Sequence, residues 1–308
     1  MHLPEWMRRR KEPSGASERP VLQTLKTTIG NLKRVPTLPE AATRAMVVAK
    51  DPNSSLADLA GVIERDPALA AGILKLANSA LYRRGHGVAS LQQAVVHLGA
   101  RECQNLILAV GMRSLFLNVP RERQVRYSAL WRHSYLTGCL CRQLSRALGL
   151  RFEGEEFASG LSHDIGRVLI GLGSPEHAEA ADPMDFIEGP EVLLREQAVL
   201  STDHCYLGAW FANLNNLPAS LVSAVQFHHT PEWAEEHQPL VALVAVADHM
   251  ANYFQREQRV DGYDAASNTA GPLLQEHVAS GRNFLALADD VLTDAVNEVH
   301  LAEGGAAA

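Results

Sequence analysis

The apolar residues of this chain recur at the spacing of α-helices, and helix-breaking residues interrupt them at short intervals. Leu56, Leu59, Ala60 and Ile63 fall at positions i, i+3, i+4 and i+7, which places them on one face of a helix. Neither half of the chain carries the alternation of apolar and polar residues that is typical of half-buried strands. The sequence therefore predicts an all-α fold.

Several helix ends are also visible in the sequence. Ser55 precedes Asp58 by three residues, which is typical of an N-cap followed by an acidic residue in the first turn. Asp66-Pro67 combines a capping residue with a proline at the first helical position, where the missing N–H costs nothing. Gly99 and Gly149 are suited to end helices, because glycine adopts the left-handed conformation at low cost.

Composition excludes several classes of protein. The 308 residues carry a formal net charge of −7, which argues against a nucleic-acid partner bound through bulk positive charge. The four cysteines include no C-x-x-C pair, so neither a disulfide framework nor a cysteine zinc site is indicated. The longest apolar run, Leu240–Ala247, is far shorter than the ~20 residues that span a bilayer. The basic N-terminal cluster is not followed by an apolar stretch, and we expect a cytoplasmic protein with no membrane contact.

The distribution of polar and apolar segments predicts three regions. Residues 1–23 are rich in proline, serine and mixed charge and are expected to form a flexible tail. Residues 24–260 are expected to form two packed helical lobes, 24–118 and 119–260, with a ligand pocket at the seam between them. Residues 261–308 contain one further amphipathic helix and a Gly/Ala tail, and they are expected to form a C-terminal extension.

Histidines and aspartates scattered among apolar residues are the candidates for chemistry. Asp248 shares a helix face with Val241 and Val244, and burying its carboxylate unpaired would cost several kcal/mol. Imidazole nitrogen and carboxylate oxygen together suit divalent zinc, iron, manganese and nickel. Any single one of the thirteen histidines is more often a surface residue or a satisfied core residue than a metal ligand. The candidate set is His133, His163, Asp164, His204, His228, His229 and Asp248.

The stretch Gly160–Arg167, which reads GLSHDIGR, resembles the signature of the HD superfamily of metal-dependent phosphohydrolases. That superfamily holds a metal between helices with an ordered H…HD…D set, and His133, His163-Asp164 and Asp248 match this order. Over residues 24–260 the chain resembles more specifically the HDOD domain, the HD-related output domain of bacterial signalling proteins. The further motifs that carry this resemblance are Pro36–Pro39, Asp66–Leu69, Leu76–Ala80, Ala94–Gly99, Trp131–Ser134, Asp203–Trp210, Asn216–Pro218 and His228–Pro231.

The resemblance implies that the second lobe is an HD-like helical bundle with a metal site. In the neighbouring HD-GYP phosphodiesterases, residues matching His204, His228 and His229 hold a second metal, and Asp164 would bridge the two ions. The implied cofactor is one or two divalent ions of iron, manganese, zinc or magnesium. The chain departs from that family at two places: Thr230–Trp233 replaces the Gly-Tyr-Pro substrate loop, and Arg167 replaces the usual lysine. Arg167 remains a candidate phosphate contact. Its guanidinium is a planar group of hydrogen-bond donors, whereas the ammonium of a lysine is a point charge.

Three functions are compatible with these residues. The HDOD resemblance implies a signal-transduction output module that acts through signalling proteins, with catalysis lost or vestigial and any metal structural or sensory. The complete His/Asp set favours a metal-dependent phosphohydrolase acting on a nucleotide or phosphodiester. A receptor that binds a nucleotide without cleaving it is the third alternative.

Overall fold

The computed structural model describes residues 40–304, apart from residues 52, 79–86, 118, 120, 153, 188 and 280. The predicted tail at residues 1–23, the Pro36–Pro39 motif and the Ser79-Ala80 pair lie outside the described residues. The predicted all-α class is confirmed, because the regular structure in the described ranges consists of helices without a strand. None of these helices is both long enough and apolar enough to cross a bilayer.

The helices follow one another closely along the chain. The α-helices of the described residues are α1 Glu40–Lys50, α2 Leu56–Ile63, α3 Pro67–Ala77, α4 Leu91–Leu117, α5 Gln124–Leu148, α6 Glu155–Ser162, α7 Ile165–Gly173, α8 Ala178–Ala181, α9 Pro190–Leu200, α10 His204–Leu214, α11 Ala219–Phe227, α12 Gln238–Glu257, α13 Gly271–Gln275 and α14 Phe284–Gly304. Short 3₁₀ turns occur at Arg121–Arg123, Pro231–Trp233 and Ala265–Ser267.

The helix ends expected from the sequence have clear local causes. The Ser55 hydroxyl accepts a hydrogen bond from the Asp58 N–H at 3.1 Å, and the Asp58 carboxylate accepts one from the Ser55 N–H at 2.9 Å. Asp66 accepts a hydrogen bond from the Leu69 N–H at 2.9 Å and so caps α3. Gly149 ends α5 with a φ of 70°, and Gly99, with a φ of 78°, divides α4 into two segments that meet at a kink.

Two large hydrophobic clusters and one small cluster, which consists of Val192, Leu193 and Cys205, form the interior of the described residues. Of the two large clusters, the smaller cluster is built from α1 to α3 and the first part of α4, with Ile63 and Ile73 fully buried. The larger cluster runs from Leu108 to Val299, and α5 lies at its centre, packed against α6, α12 and α14. The C-terminal helix α14 contributes Phe284 to this larger cluster. The division into lobes at 118 and 260 stays a prediction.

A buried ion pair joins α14 to α5. The guanidinium of Arg142 contacts the carboxylate of Glu298, and their side chains are 3% and 6% exposed. Gln143 and Cys139 also donate hydrogen bonds to Glu298, at 3.1 and 2.8 Å, and Glu102 on α4 lies 3.5 Å from the Arg142 guanidinium. Arg142 on α5 therefore forms ion pairs with carboxylates on α4 and α14. The buried charges of Arg142 and Glu298 each need the other as a partner.

Candidate metal centre

The seven histidines and aspartates predicted from the sequence lie together inside the larger cluster. His133 is on α5, and Asp248 is in the middle of α12. His163 and Asp164 form the two-residue turn between α6 and α7. The other three histidines come from two further places: His204 begins α10, and His228 and His229 follow the end of α11. Residues up to 115 positions apart in the sequence thus meet at one point of the bundle.

His133, His163 and Asp248 form the first of two donor groups. The Nε2 atoms of His133 and His163 are 3.3 Å apart. Asp248 Oδ1 lies 3.0 Å from His133 Nε2 and 3.4 Å from His163 Nε2. The Oδ2 atom of Asp164 approaches the same two nitrogens at 3.6 and 3.5 Å. Four donor atoms therefore surround one small space.

His204, His228 and His229 form the second donor group on the other side of Asp164. His204 Nε2 lies 3.3 Å from His228 Nε2 and 3.2 Å from His229 Nε2. Asp164 Oδ1 is 3.4 Å from His204 Nε2 and 3.6 Å from His228 Nε2. The two oxygens of Asp164 thus face different groups, so its carboxylate lies between them.

The distances within each group fit the ligand spacing of a divalent ion. An ion about 2.0–2.1 Å from each nitrogen or oxygen ligand separates neighbouring ligand atoms by about 3.0 Å in octahedral and about 3.4 Å in tetrahedral coordination. The measured separations run from 3.0 to 3.6 Å. Neither oxygen of the fully buried Asp164 accepts a hydrogen bond of good geometry from the described residues, and the Arg167 guanidinium lies 3.1 Å from Oδ2. A cation in each group would satisfy the two oxygens.

Hydrogen bonds behind the rings orient three of the histidines. The Nδ1 atom of His163 lies 2.6 Å from the carbonyl oxygen of Gly160, and that of His228 lies 3.0 Å from the carbonyl oxygen of Val225. His204 Nδ1 lies 2.8 Å from a carboxylate oxygen of Glu196. A proton on each Nδ1 leaves the Nε2 lone pair directed at Asp164, which is the arrangement that metal-binding histidines use.

The two aspartates are held in the anionic form. Burial alone would raise the pKa of Asp164, but the Arg167 guanidinium and the His163 ring outweigh it and hold that pKa well below its usual value. Burial likewise opposes ionisation of Asp248, yet hydrogen bonds with His133 and His163 keep its pKa well below the usual range. Two carboxylates thus remain charged in a dry interior, where a cation binds strongly.

The imidazoles respond to the same burial in different ways. Burial lowers the pKa of His133, and it holds the pKa values of His204 and His229 well below that of a free imidazole. Burial also disfavours the charged form of His163, but Asp164 and Asp248 overcome it and raise the pKa of that ring to about 9. The neutral rings can donate their lone pairs to a metal ion. The carboxylates that favour a proton on His163 also favour a divalent ion in place of that proton.

A glycine permits the close approach of the helices that carry the two groups. A Cβ atom on Gly166, the second residue of α7, would lie 1.8 Å from the carbonyl oxygen of His204. Only glycine therefore lets the start of α7 rest against the start of α10. This contact brings His204 to Asp164.

Arg167 lies beside the centre and pairs with carboxylates. Its Nη1 is 3.1 Å from Asp164 Oδ2, and its Nε is 3.7 Å from Asp182 Oδ2. Arg126 also contacts Asp182, at 2.7 Å. Arg167 is only 2% exposed, so its guanidinium pairs with buried carboxylates and does not extend into solvent.

The segment between α8 and α9 covers the first donor group. The ring of Phe186 packs 5.5 Å from the ring of His133, measured between centroids. Arg256 of α12 donates a hydrogen bond to the carbonyl oxygen of Phe186. Met184 and Phe186 have φ values of 61° and 52°, a backbone conformation that non-glycine residues adopt only when their surroundings hold it.

Sequence reasoning missed several residues that surround the centre. Glu196 and Phe186 belong to no motif, and Cys205 belongs to no C-x-x-C pair that would mark it as a metal ligand. Burial raises the pKa of Glu196 well above its usual value, although the nearby Arg167 opposes that shift. Glu196 lies on α9, only eight residues before His204 in the sequence. The sequence does not show that the chain reverses direction after α9, which is what brings the Glu196 carboxylate to the His204 ring.

Comparison with known proteins identifies relatives of this architecture. The HDOD domain model matches residues 35–231. An uncharacterized protein of Treponema pallidum (strain Nichols) is 28% identical over 248 residues, which cover 76% of this chain and 46% of the relative. This chain thus spans less than half of that relative.

Two crystal structures are similar in fold. A protein of Shewanella amazonensis SB2B, provisionally described as a phosphohydrolase, matches with a TM-score of 0.71 and 24% identity, over 92% of this chain and 97% of that chain. An HDOD domain protein of unknown function from Geobacter sulfurreducens matches with a TM-score of 0.70 and 20% identity, over 92% and 96% of the two chains. At these identities the likeness concerns the fold.

Proposed function

Since the chain belongs to the HDOD domain family, we propose that it is a regulatory output module of bacterial signalling whose buried metal centre is structural or sensory. In this proposal His133, His163, Asp248 and Asp164 hold one divalent ion, and Asp164 shares a second with the histidines of the other group. The module acts by contacting signalling proteins and does not turn over a phosphodiester.

The burial of the donor groups is the observation that carries this proposal. His133, His163, Asp164 and His204 are 0% exposed, His228 is 2% and Asp248 4% exposed, and His229 is partly buried. Phe186 covers the His133 ring on one side. A hydrolase must bring a phosphoryl group and a water molecule to its metal, whereas a structural or sensory ion needs no such access.

The surroundings of Arg167 point in the same direction. A phosphate contact must present its donors to the substrate, but the Arg167 guanidinium faces Asp164 and Asp182 within the interior. The position of the HD-GYP substrate loop is occupied by the 3₁₀ turn Pro231–Trp233. Both features favour a retained metal site without a retained substrate site.

A metal-dependent phosphohydrolase is the alternative, and the complete donor set favours it. A bound divalent ion supplies Lewis acidity and a hydroxide nucleophile near neutral pH. In that function the Phe186 segment would have to move away from His133 to admit the substrate. Asp164, Asp248 and the histidines would keep the same role in holding the ion.

The two functions differ in turnover. We expect untagged protein from cells grown with iron, manganese and zinc to contain bound metal. We also expect it to hydrolyse bis(p-nitrophenyl) phosphate and cyclic dinucleotides no faster than its Asp164→Ala variant, with or without added manganese.

Proteins that co-purify with the wild type and with the control Asp290→Ala, but not with Asp164→Ala, would be the expected partners. Hydrolysis that requires both His163 and Asp164 would contradict the regulatory function and establish the enzyme.

A further inference from the structure

We propose that the thiol of Cys205 is an additional ligand in the second donor group, so that this side of the centre selects a thiophilic divalent ion, zinc over manganese or magnesium. The inference rests on the proposed metal centre. The histidine and aspartate motif supplies only nitrogen and oxygen ligands, and this inference adds a sulfur ligand.

The position of the sulfur fits a shared ion. One donor atom from each of His204, Cys205, His228 and His229 can be chosen so that all four lie within 4.8 Å of one another. Cys205 Sγ is 3.5 Å from His204 Nε2, the nitrogen that also faces Asp164, and 3.9 Å from His228 Nδ1. A zinc ion about 2.3 Å from sulfur and about 2.0–2.1 Å from nitrogen separates sulfur and the His204 nitrogen by about 3.5 Å when the angle between the two bonds is close to tetrahedral.

Cys205 stands at the start of α10. His204 and Cys205 are the first two residues of the helix, where the helix dipole favours negative charge. Asp203 caps this end by accepting a hydrogen bond from the Tyr206 N–H at 2.9 Å. Cys205 is fully buried and packs on its other side against Val192 and Leu193, so its sulfur is shielded from oxidants and solvent.

The charges of the two donor groups support the same assignment. The first group has an anion of its own, Asp248, in addition to the shared Asp164. The second group has three imidazoles, and its shared oxygen is Asp164 Oδ1, 3.4 Å from His204 Nε2. The nearby Glu196 is directed at the backbone N–H and Nδ1 of His204, away from the Nε2 atoms. A Cys205 thiolate therefore supplies the second group with its own anion.

Ligation requires no redox step. The S–H bond of Cys205 breaks, its proton passes to solvent, and the sulfur lone pair forms the bond to the ion, so the charge of the ion is unchanged. Soft sulfur ligands favour zinc, whereas manganese and magnesium favour oxygen. The metal preference of the second group therefore depends on a single side chain.

Cobalt substitution tests this assignment, because a thiolate bound to Co²⁺ produces a sulfur-to-metal charge-transfer absorption in the near ultraviolet. The full-length chain is stripped of metal, reduced, and titrated anaerobically with Co²⁺, and bound cobalt is measured by elemental analysis. We expect the band in the wild type and in Cys103→Ser, whose thiol is buried in the smaller cluster. We expect it to be lost in Cys205→Ser and Cys205→Ala. Zinc affinity relative to manganese should fall by about tenfold or more in the same two variants.

The outcomes separate this inference from the proposal on which it rests. Bound cobalt without a charge-transfer band in the wild type overturns the Cys205 assignment and leaves the histidine and aspartate centre intact. A band of equal intensity in Cys205→Ser also overturns it. If the wild type binds no cobalt at all, the metal centre itself fails, and the thiol assignment fails with it. The wild-type spectrum decides the question even if both Cys205 variants misfold.

Discussion

Replacement of Asp164 with alanine is expected to remove bound metal from both donor groups and to lower the thermal unfolding midpoint by about 6–20 °C. The carboxylate is fully buried and has one oxygen directed at each group. Its loss leaves converging imidazoles without the shared anion, and breaking a buried charge network costs about 3–5 kcal/mol. Each kcal/mol lowers the midpoint by about 2–4 °C for a chain of this size class. Elemental analysis and scanning calorimetry measure the two effects.

The matched control for this variant is Asp290→Ala. Asp290 is an exposed residue of α14, so its replacement should leave the metal content unchanged and should alter stability little. The wild type treated with a chelator should resemble Asp164→Ala, and metal added back should restore its melting midpoint. If the Asp164→Ala protein keeps the metal content of the wild type, the ions are bound at another place in the protein.

Replacement of Glu298 with alanine is expected to reduce the free energy of unfolding by about 3–5 kcal/mol, because it leaves the Arg142 guanidinium buried without its main partner. The two side chains are 3% and 6% exposed, and Gln143 adds a hydrogen bond to the same carboxylate. The double variant Arg142→Met/Glu298→Leu should recover most of the loss, since neither buried charge remains. Urea denaturation of the wild type, both single variants and the double variant measures the coupling.

An exposed ion pair provides the comparison. Arg195 and Asp185 are 3.6 Å apart, with side chains 35% and 39% exposed. Removing either partner should cost about 0–1 kcal/mol, because solvent screens the interaction. If Glu298→Ala costs no more than Asp185→Ala, the contact between α5 and α14 does not depend on charge, and the packing of Phe284 and its apolar neighbours would be sufficient to hold the C-terminal helix.

The helices were predictable because their signals are local. The capping box of Ser55 and Asp58 and the left-handed Gly149 depend on residues within one turn, so the sequence shows them directly. The histidines and aspartates were also recognisable, since charged groups are rarely placed among apolar neighbours without a partner. Their convergence was inferred from the ordered motif, and the structure brings them to one place.

The contacts that the sequence did not reveal join helices far apart in the chain. Phe186 covers His133 because the segment after α8 folds back over α5, and no periodic pattern specifies that path. Glu298 meets Arg142 across 156 residues, although either residue alone is typical of an exposed helix face. Cys205 lacks the paired spacing by which cysteine ligands are usually recognised, because its neighbours in the donor group are histidines from another helix end.

Burial of the donor groups links the fold to the proposed function. The centre joins α5, α6, α7, α10, α11 and α12, so an ion there would stabilise the arrangement of most of the larger cluster. In the proposed function, loss of the ion would weaken the packing of these helices, as a sensory or structural centre requires. Turnover, by contrast, would require Phe186 to leave its place over His133.

The most direct test is an anomalous difference map from crystals of the full-length protein grown with metal. Data collected on both sides of the absorption edges of iron, manganese and zinc would identify each ion. We expect two peaks, one among His133, His163, Asp164 and Asp248, and one among His204, His228, His229 and Asp164. An absence of peaks at these positions in metal-replete crystals, with the seven side chains directed apart, would contradict the proposed metal centre.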